Sequence, residues 1–226
     1  MTNTAPTIIL TDSNILLTVT LRNLILDTDY ELGLPSVRWS PHILAEVKKH
    51  APHRHNLTKE QANNLVRSLD RNFPDATVHP TDKVVATLSK YPWPDPDDIE
   101  VVAAALQTRA AYIITDNTAH FPTELLTKVG QQRLSSDELL TRLGESHPAP
   151  INYLLDMHAA RSSQSDLVGS LVRAGAHNFA AQIARRWGIP AGQDILTRPQ
   201  DGLGHRRVFV RPYIKRDGTS VSGYQR

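Results

Sequence analysis

Pro92-Trp93-Pro94-Asp95-Pro96-Asp97-Asp98-Ile99-Glu100-Val101-Val102-Ala103-Ala104-Ala105-Leu106, followed four residues later by Ala111-Tyr112-Ile113-Ile114-Thr115-Asp116-Asn117, is the stretch on which the fold turns. Three prolines in five residues remove backbone donors and hold their predecessors extended, so residues 92–98 are not helical. A helix opens after them. Ile99, Val102, Ala103 and Leu106 share one face at 3.6 spacing, and Asp97, Asp98 and Glu100 fall in the first turn, where acids complement the helix dipole. The apolar strand from Tyr112 to Thr115 follows at once. Helix and strand form one crossover unit, and such alternation implies a parallel α/β sheet.

The chain begins with a second apolar strand that runs into polar residues, Thr7-Ile8-Ile9-Leu10-Thr11-Asp12-Ser13-Asn14. In a parallel sheet both strands deliver their ends to one rim, where open α/β folds bind ligands. Acids gathered there without matching bases suggest a hard divalent cation.

Between these strands, residues 15–26 are apolar on a helical repeat that Gly33 and Pro35 end. Val37-Arg38-Trp39 reads as a strand. Ser40-Pro41 is an N-cap with proline at the first helical position, opening a helix to about His50 that Pro52 stops. Thr58 with Gln61 makes a capping box for a helix through Leu65, Val66 and Leu69, ending near Pro74. Ala76-Thr77-Val78 is a short strand candidate. Ser135 with Glu138 caps a helix through Leu143. Residues 150–188 are helical throughout, with stripes at Ile151, Leu154 and Leu155, at Leu167, Val168, Leu171 and Val172, and at Phe179, Ile183 and Trp187. They form a helical annex covering one side of the sheet.

Bulk properties narrow the chemistry. At 226 residues the chain exceeds one typical domain, so a main core with an appendage is expected. The net charge of +2 hides a division. From His205 to Arg226 six basic residues face one acid, giving +5 and leaving −3 for the rest. With no cysteine, disulfides, thiolate metal sites and cysteine nucleophiles are excluded, so any metal is held by oxygen or imidazole. Neither a signal peptide nor an apolar run of roughly 18–20 residues is present, and the reading is a cytoplasmic protein with no membrane span.

The candidate residues each have a plainer reading. Asp12 and Asp98 serve equally as helix caps, but capping does not explain why two strand ends and an acid-rich helix start converge on one rim. Glu46 sits at the margin of the apolar face formed by Ile43, Leu44 and Val47, where a surface glutamate is ordinary. Asp116-Asn117 suits a turn. His50, His53 and His55 lack the i, i+4 geometry of a helical histidine pair with Pro52 among them, and read as a solvated loop. Trp39, Trp93 and Trp187 read as packing residues, with Trp93 near enough to the acidic helix start to stack on a base.

The order of these segments resembles the PIN-domain nucleases. The resemblance rests on Asp12-Ser13-Asn14-Ile15-Leu16, on Ser40-Pro41-His42-Ile43-Leu44-Ala45-Glu46-Val47, on Asp95 to Ala105, and on Tyr112 to Asn117 with His120-Phe121-Pro122. It spans roughly residues 7–145. The Asp-Pro-Asp-Asp start and the closing Phe-Pro are similar to a bacterial branch that includes the toxins of toxin–antitoxin pairs. The resemblance implies a Rossmann-like domain whose acids bind Mg²⁺ or Mn²⁺ and cut RNA, with RNA, an antitoxin protein and a second copy of the chain as partners. Asp12, Glu46 and Asp98 match the first three acids of the family. Asn117 falls where many relatives carry Asp, and Glu100 where the branch usually has His.

The expected architecture is therefore an α/β, PIN-like nuclease domain over residues 1–146, with a mainly parallel sheet flanked by helices. A helical extension covers 147–196 and a basic tail 197–226. The expected catalytic set is Asp12, Glu46, Asp98 and Asn117, with Asp116 joining Asp12, Glu46 and Asp98 as metal ligands. Asn14, Thr115, Arg206, Arg207, Arg211 and Lys215 are the expected substrate contacts. In the tail, basic residues interleave with Phe209, Tyr213 and Tyr224, a pattern that binds RNA by phosphate pairing and stacking, and Asp217-Gly218 suits a hairpin turn. The competing class is a PIN-like module that holds RNA or protein through a weakened metal site. A phosphatase is disfavoured because Asn14 stands where its second acid belongs.

Overall fold

The structure is a computed structural model, and it describes residues 6–55 and 57–189 together with the short strands at 213–214 and 220–221. Four parallel strands, β1 (Ile8–Thr11), β2 (Ser36–Arg38), β3 (Tyr112–Ile114) and β4 (Arg133–Leu134), lie in the order β2-β1-β3-β4. Helices flank this sheet, so the protein is α/β as its sequence alternation requires. Central β1 and β3 bury Ile9, Leu10, Ile113 and Ile114 completely, which is why both read as unbroken apolar runs.

After β1 the chain forms α1 (Ser13–Leu17) and α2 (Val19–Leu32), two helices where periodicity suggests one, parted at the extended Thr18. Gly33, in the left-handed conformation at φ 64°, closes α2 with its N–H on the Asp29 and Thr28 carbonyls. The next helix, α3 (Pro41–His55), does not stop at Pro52 but carries it inside. Ala51 and Val47 are fully buried on this helix, which packs on α1 and on α4 (Lys59–Asn72). That packing overrides the proline's lost hydrogen bond, so His50 and His53 sit on a helix and not on a loop. The capping box of α4 forms as read, Thr58 and Gln61 bonding reciprocally at 2.7 and 3.1 Å.

The strand expected at 76–78 reduces to one bridge. Thr77 pairs with Trp39, whose N–H and carbonyl bond Ala76 and Val78. Trp39 is fully buried, edge-on to Phe73, and its indole N–H donates to Thr77. Helix α5 (Asp82–Leu88), α7 (Thr123–Lys128) and strand β4 had no reading in the sequence. Helix α6 (Asp98–Thr108) buries Val101 to Ala105 on every side, and not a stripe from Ile99 to Leu106. Small side chains let it press between its neighbours β1, β3, α3 and α5. Trp93 is buried, its indole N–H on the Leu88 carbonyl at 2.9 Å, which withdraws it from stacking on a base.

Helix α8 (Ser136–Ser146) leads into α9 (Pro148–Ala159), α10 (Gln164–Arg173) and α11 (His177–Arg186). The annex rests on flanking helices and not on the sheet face: α9 packs on α2 and α8, α10 on α2, and α11 on α8. Gly144 of α8 permits a close approach, since a Cβ there would stand 3.3 Å from the Phe179 ring. Trp187 lies past the end of α11, outside the buried stripe, under the Arg186 guanidinium. The chain divides into two compact units, Met1–Gly192 and Gln193–Arg226. In the second unit β5 (Tyr213–Ile214) pairs antiparallel with β6 (Ser220–Val221). The turn at Asp217-Gly218 lies outside the described residues. No helix among the described residues is long and apolar enough to cross a membrane.

Candidate metal centre

Because β1 is followed by β2 on one side and β3 lies on the other, the strand order reverses between β1 and β3. The crevice beyond the carboxyl ends of such strands is where open α/β sheets bind ligands. The β1–β3 ladder pairs Thr11 with Ile114 and continues one step, the Asp12 N–H donating to the Ile114 carbonyl at 3.0 Å. Asp12 and Thr115 therefore leave their strands side by side.

Asp12 is the N-cap of α1 and is only 4 % exposed. Its Oδ1 accepts the Ser13 N–H at 2.6 Å. Its Oδ2 accepts the Asn14 amide at 2.6 Å and the Thr115 hydroxyl at 2.7 Å. Burial holds its pKa above the ordinary carboxylate value against those hydrogen bonds, and the charge of Glu46 adds to the rise. Glu46, half-buried on α3, is thus near enough to act on Asp12.

Asp98 opens α6, whose first turn lies at the same rim. Burial raises its pKa to about 7; the His120 imidazole opposes this, while the charges of Asp12 and Asp95 reinforce it. The imidazole Nδ1 lies 2.9 Å from Asp98 Oδ2 and 3.8 Å from Asp95 Oδ2. Local turns aim both partners. Asp95 Oδ1 accepts the Asp97 N–H at 3.0 Å, and its carbonyl accepts the Asp98 N–H at 3.2 Å. His120 is held by its N–H to the Asn117 carbonyl and by the adjacent Phe121, which is fully buried.

Among the described residues, Asp95, Asp98 and His120 form the group whose ligand atoms all lie within 4.8 Å of one another. Asp12, Glu46 and Asp98, the trio expected from sequence, interact through their charges without closing to that spacing. Carboxylate oxygens with one imidazole nitrogen, partly open to solvent, suit a divalent cation that keeps some of its waters.

The other expected residues make the following contacts. Asp116 does not face Asp12. Its Oδ1 accepts the Ser136 N–H and its Oδ2 the Ser136 hydroxyl, both at 2.8 Å, because successive residues leave a strand on opposite sides. Asn117 is exposed, and its backbone N–H donates to the Thr115 hydroxyl at 3.1 Å. Thr115, fully buried, and Asn14 are tied to Asp12 and to each other, the Asn14 amide donating to Thr115 Oγ1 at 2.9 Å, so they buttress the acid. Arg206, Arg207, Arg211 and Lys215 have side chains outside the described residues. Sequence reasoning did not single out Asp95 and His120 as candidate ligands. Their signals were a doubled acid before the helix, Asp-Pro-Asp-Asp, and a histidine three residues past Asn117.

No curated protein matches the chain. The family model described as PIN domain matches residues 9–119, a segment holding Asp12, Glu46, Asp95 and Asp98, and with the parallel sheet this supports the PIN-domain family, generally metal-dependent nucleases, for the α/β part of the chain.

Proposed function

We propose that the protein is a Mg²⁺- or Mn²⁺-dependent endoribonuclease, the toxin of a toxin–antitoxin pair, with Asp12, Glu46 and Asp98 as its metal-binding acids. The observation that carries this reading is the pair Asp12 and Asp98, delivered to one rim from different elements with both pKa values raised. Burying acids beside one another is costly unless a cation joins them. When bound, the cation eases deprotonation of its water and offsets charge on the scissile phosphate.

The chain's own residues supply the positioning. Ser13, Asn14 and Thr115 hold Asp12 in a single orientation through three hydrogen bonds. The helix start at Asp98 sets the second carboxylate at the same crevice. Beside the largely covered Asp98, the side chains of His120 and Asp95 are 39 % and 41 % exposed, which leaves the rim accessible to a phosphodiester. The toxin reading draws on the resemblance of Asp95-Pro96-Asp97-Asp98 and Phe121-Pro122 to the bacterial branch, and an antitoxin protein is the restraint such an activity requires.

The test is cleavage of total RNA with Mg²⁺ or Mn²⁺ by the full chain and by Asp12→Asn and Glu46→Gln. Losing a metal ligand removes several kcal/mol of transition-state stabilisation, so each variant should be slower by about a hundredfold or more. Cleavage by Asp12→Asn at the wild-type rate would refute the site. Wild-type chain that binds RNA and metal but never cuts would establish the binding-module reading instead.

A further inference from the structure

We propose that Asp95, Asp98 and His120 bind a divalent ion of the class that accepts imidazole, Mn²⁺ or a later first-row metal, beside the position served by Asp12 and Glu46. The inference deepens the metal-centre reading, since Asp98 belongs to both groups, but it concerns which ion is taken and through which atoms.

The distances carry it. In an octahedral shell with bonds of about 2.1 Å, neighbouring ligand atoms stand about 3.0 Å apart and opposite ones about 4.2 Å. His120 Nδ1 lies 2.9 Å from Asp98 Oδ2 and 3.8 Å from Asp95 Oδ2. The three ligand atoms all fall within 4.8 Å. Two carboxylates and one nitrogen thus already sit near the spacing that a single ion imposes.

The donor types carry the rest. An all-oxygen set suits Mg²⁺, whereas one imidazole shifts preference along the first-row series. Asp95 is fixed for this task, its Oδ1 held by the Asp97 N–H while Oδ2 turns toward His120. His120 is fixed by the Asn117 carbonyl and buried Phe121. On binding, His120 exchanges its hydrogen bond to Asp98 for the metal, with the ring proton carried on Nε2.

The experiment uses the full chain with Mn²⁺ and reads electron spin-echo modulation from ¹⁴N, a signature of imidazole on the ion. Wild-type protein should show the modulation, and His120→Ala should lose it while keeping its circular dichroism. In calorimetry, His120→Ala and Asp95→Asn should lose the preference for Mn²⁺ over Mg²⁺. Asp12→Asn should keep the ¹⁴N signal. Unchanged modulation in His120→Ala, or none in the wild type, overturns the proposal. Neither readout depends on RNA cleavage, so a chain that never cuts RNA but shows the signal refutes the nuclease and leaves this site standing.

Discussion

At the residue scale, Asp98 contributes to the pH response of the metal-free protein, as does Asp12, whose pKa is also raised. For Asp98 the ordinary value of 3.8 is raised to about 7 in the fold by burial, which prevails over the opposing His120 imidazole, while the charges of Asp12 and Asp95 add to the rise. Between those values the folded state holds a proton that the unfolded chain has released. Unfolding free energy therefore falls as pH rises, the contribution being full below about 3.8 and lost through about 7. In chelator, wild-type Tm should drop between pH 5 and pH 8 by more than that of Asp98→Asn, which has no proton to lose. Parallel curves for the two proteins would show that Asp98 does not titrate as the geometry requires. At pH 8, Mn²⁺ should restore the wild-type Tm and leave Asp98→Asn little changed. Asp12 and Asp98 were legible in the sequence because strand ends and helix starts are positions that topology alone delivers to a rim. His120 was not. It meets Asp95 across 25 residues and a whole strand, and local spacing rules are blind to such a pair.

At the element scale, the end of β3 has two exits. Thr115 turns inward to Asp12, while Asp116 turns outward and takes both the N–H and the hydroxyl of Ser136 at the start of α8. Ser135 and Glu138 complete the same start as a capping box. Asp116 thus anchors α8 to the sheet. Asp116→Ala strands two donors on a residue that is only 1 % exposed, at a cost of about 1–2 kcal/mol. Thermal unfolding should show a loss of roughly 2–4 °C per kcal/mol, with Mn²⁺ affinity close to wild type. An unchanged Tm with lost metal binding would restore the ligand role expected from sequence. Capping boxes such as this one and that of α4 were legible because they are local and chemically explicit. Helix α7, with six residues, and strand β4, with two, are too short to show a period. Helix α3 passes through Pro52 because buried Ala51 and Val47 are held by other elements, a tertiary cause that no local reading of proline contains.

Within the unit Met1–Gly192, the annex is joined to the parallel sheet through two shared helices. Helix α2 leaves β1 by way of α1, buries Leu21, Leu24 and Ile25, and also receives α9 and α10. Across that contact His158 Nε2 meets Asp27 Oδ2 at 2.8 Å. Helix α8 receives α11, whose first N–H groups, on Asn178 and Phe179, donate to Asp137 at 3.1 and 2.8 Å. Neither α2 nor α8 can lose its annex partners without exposing an apolar side, so loosening the annex should loosen β1 and the Asp12 rim with it. Leu154 of α9, fully buried, gives the test. Leu154→Ala leaves a cavity costing about 2–5 kcal/mol, which in a chain of this size lowers Tm by roughly 5–15 °C. Under conditions where exchange proceeds by global opening, amide protection at Ile9 and Leu10 should fall by the same free energy as at Leu155. Protection lost in α9 alone, with β1 unmoved, would mean that the annex unfolds independently and that the Asp12 rim does not depend on it for its position.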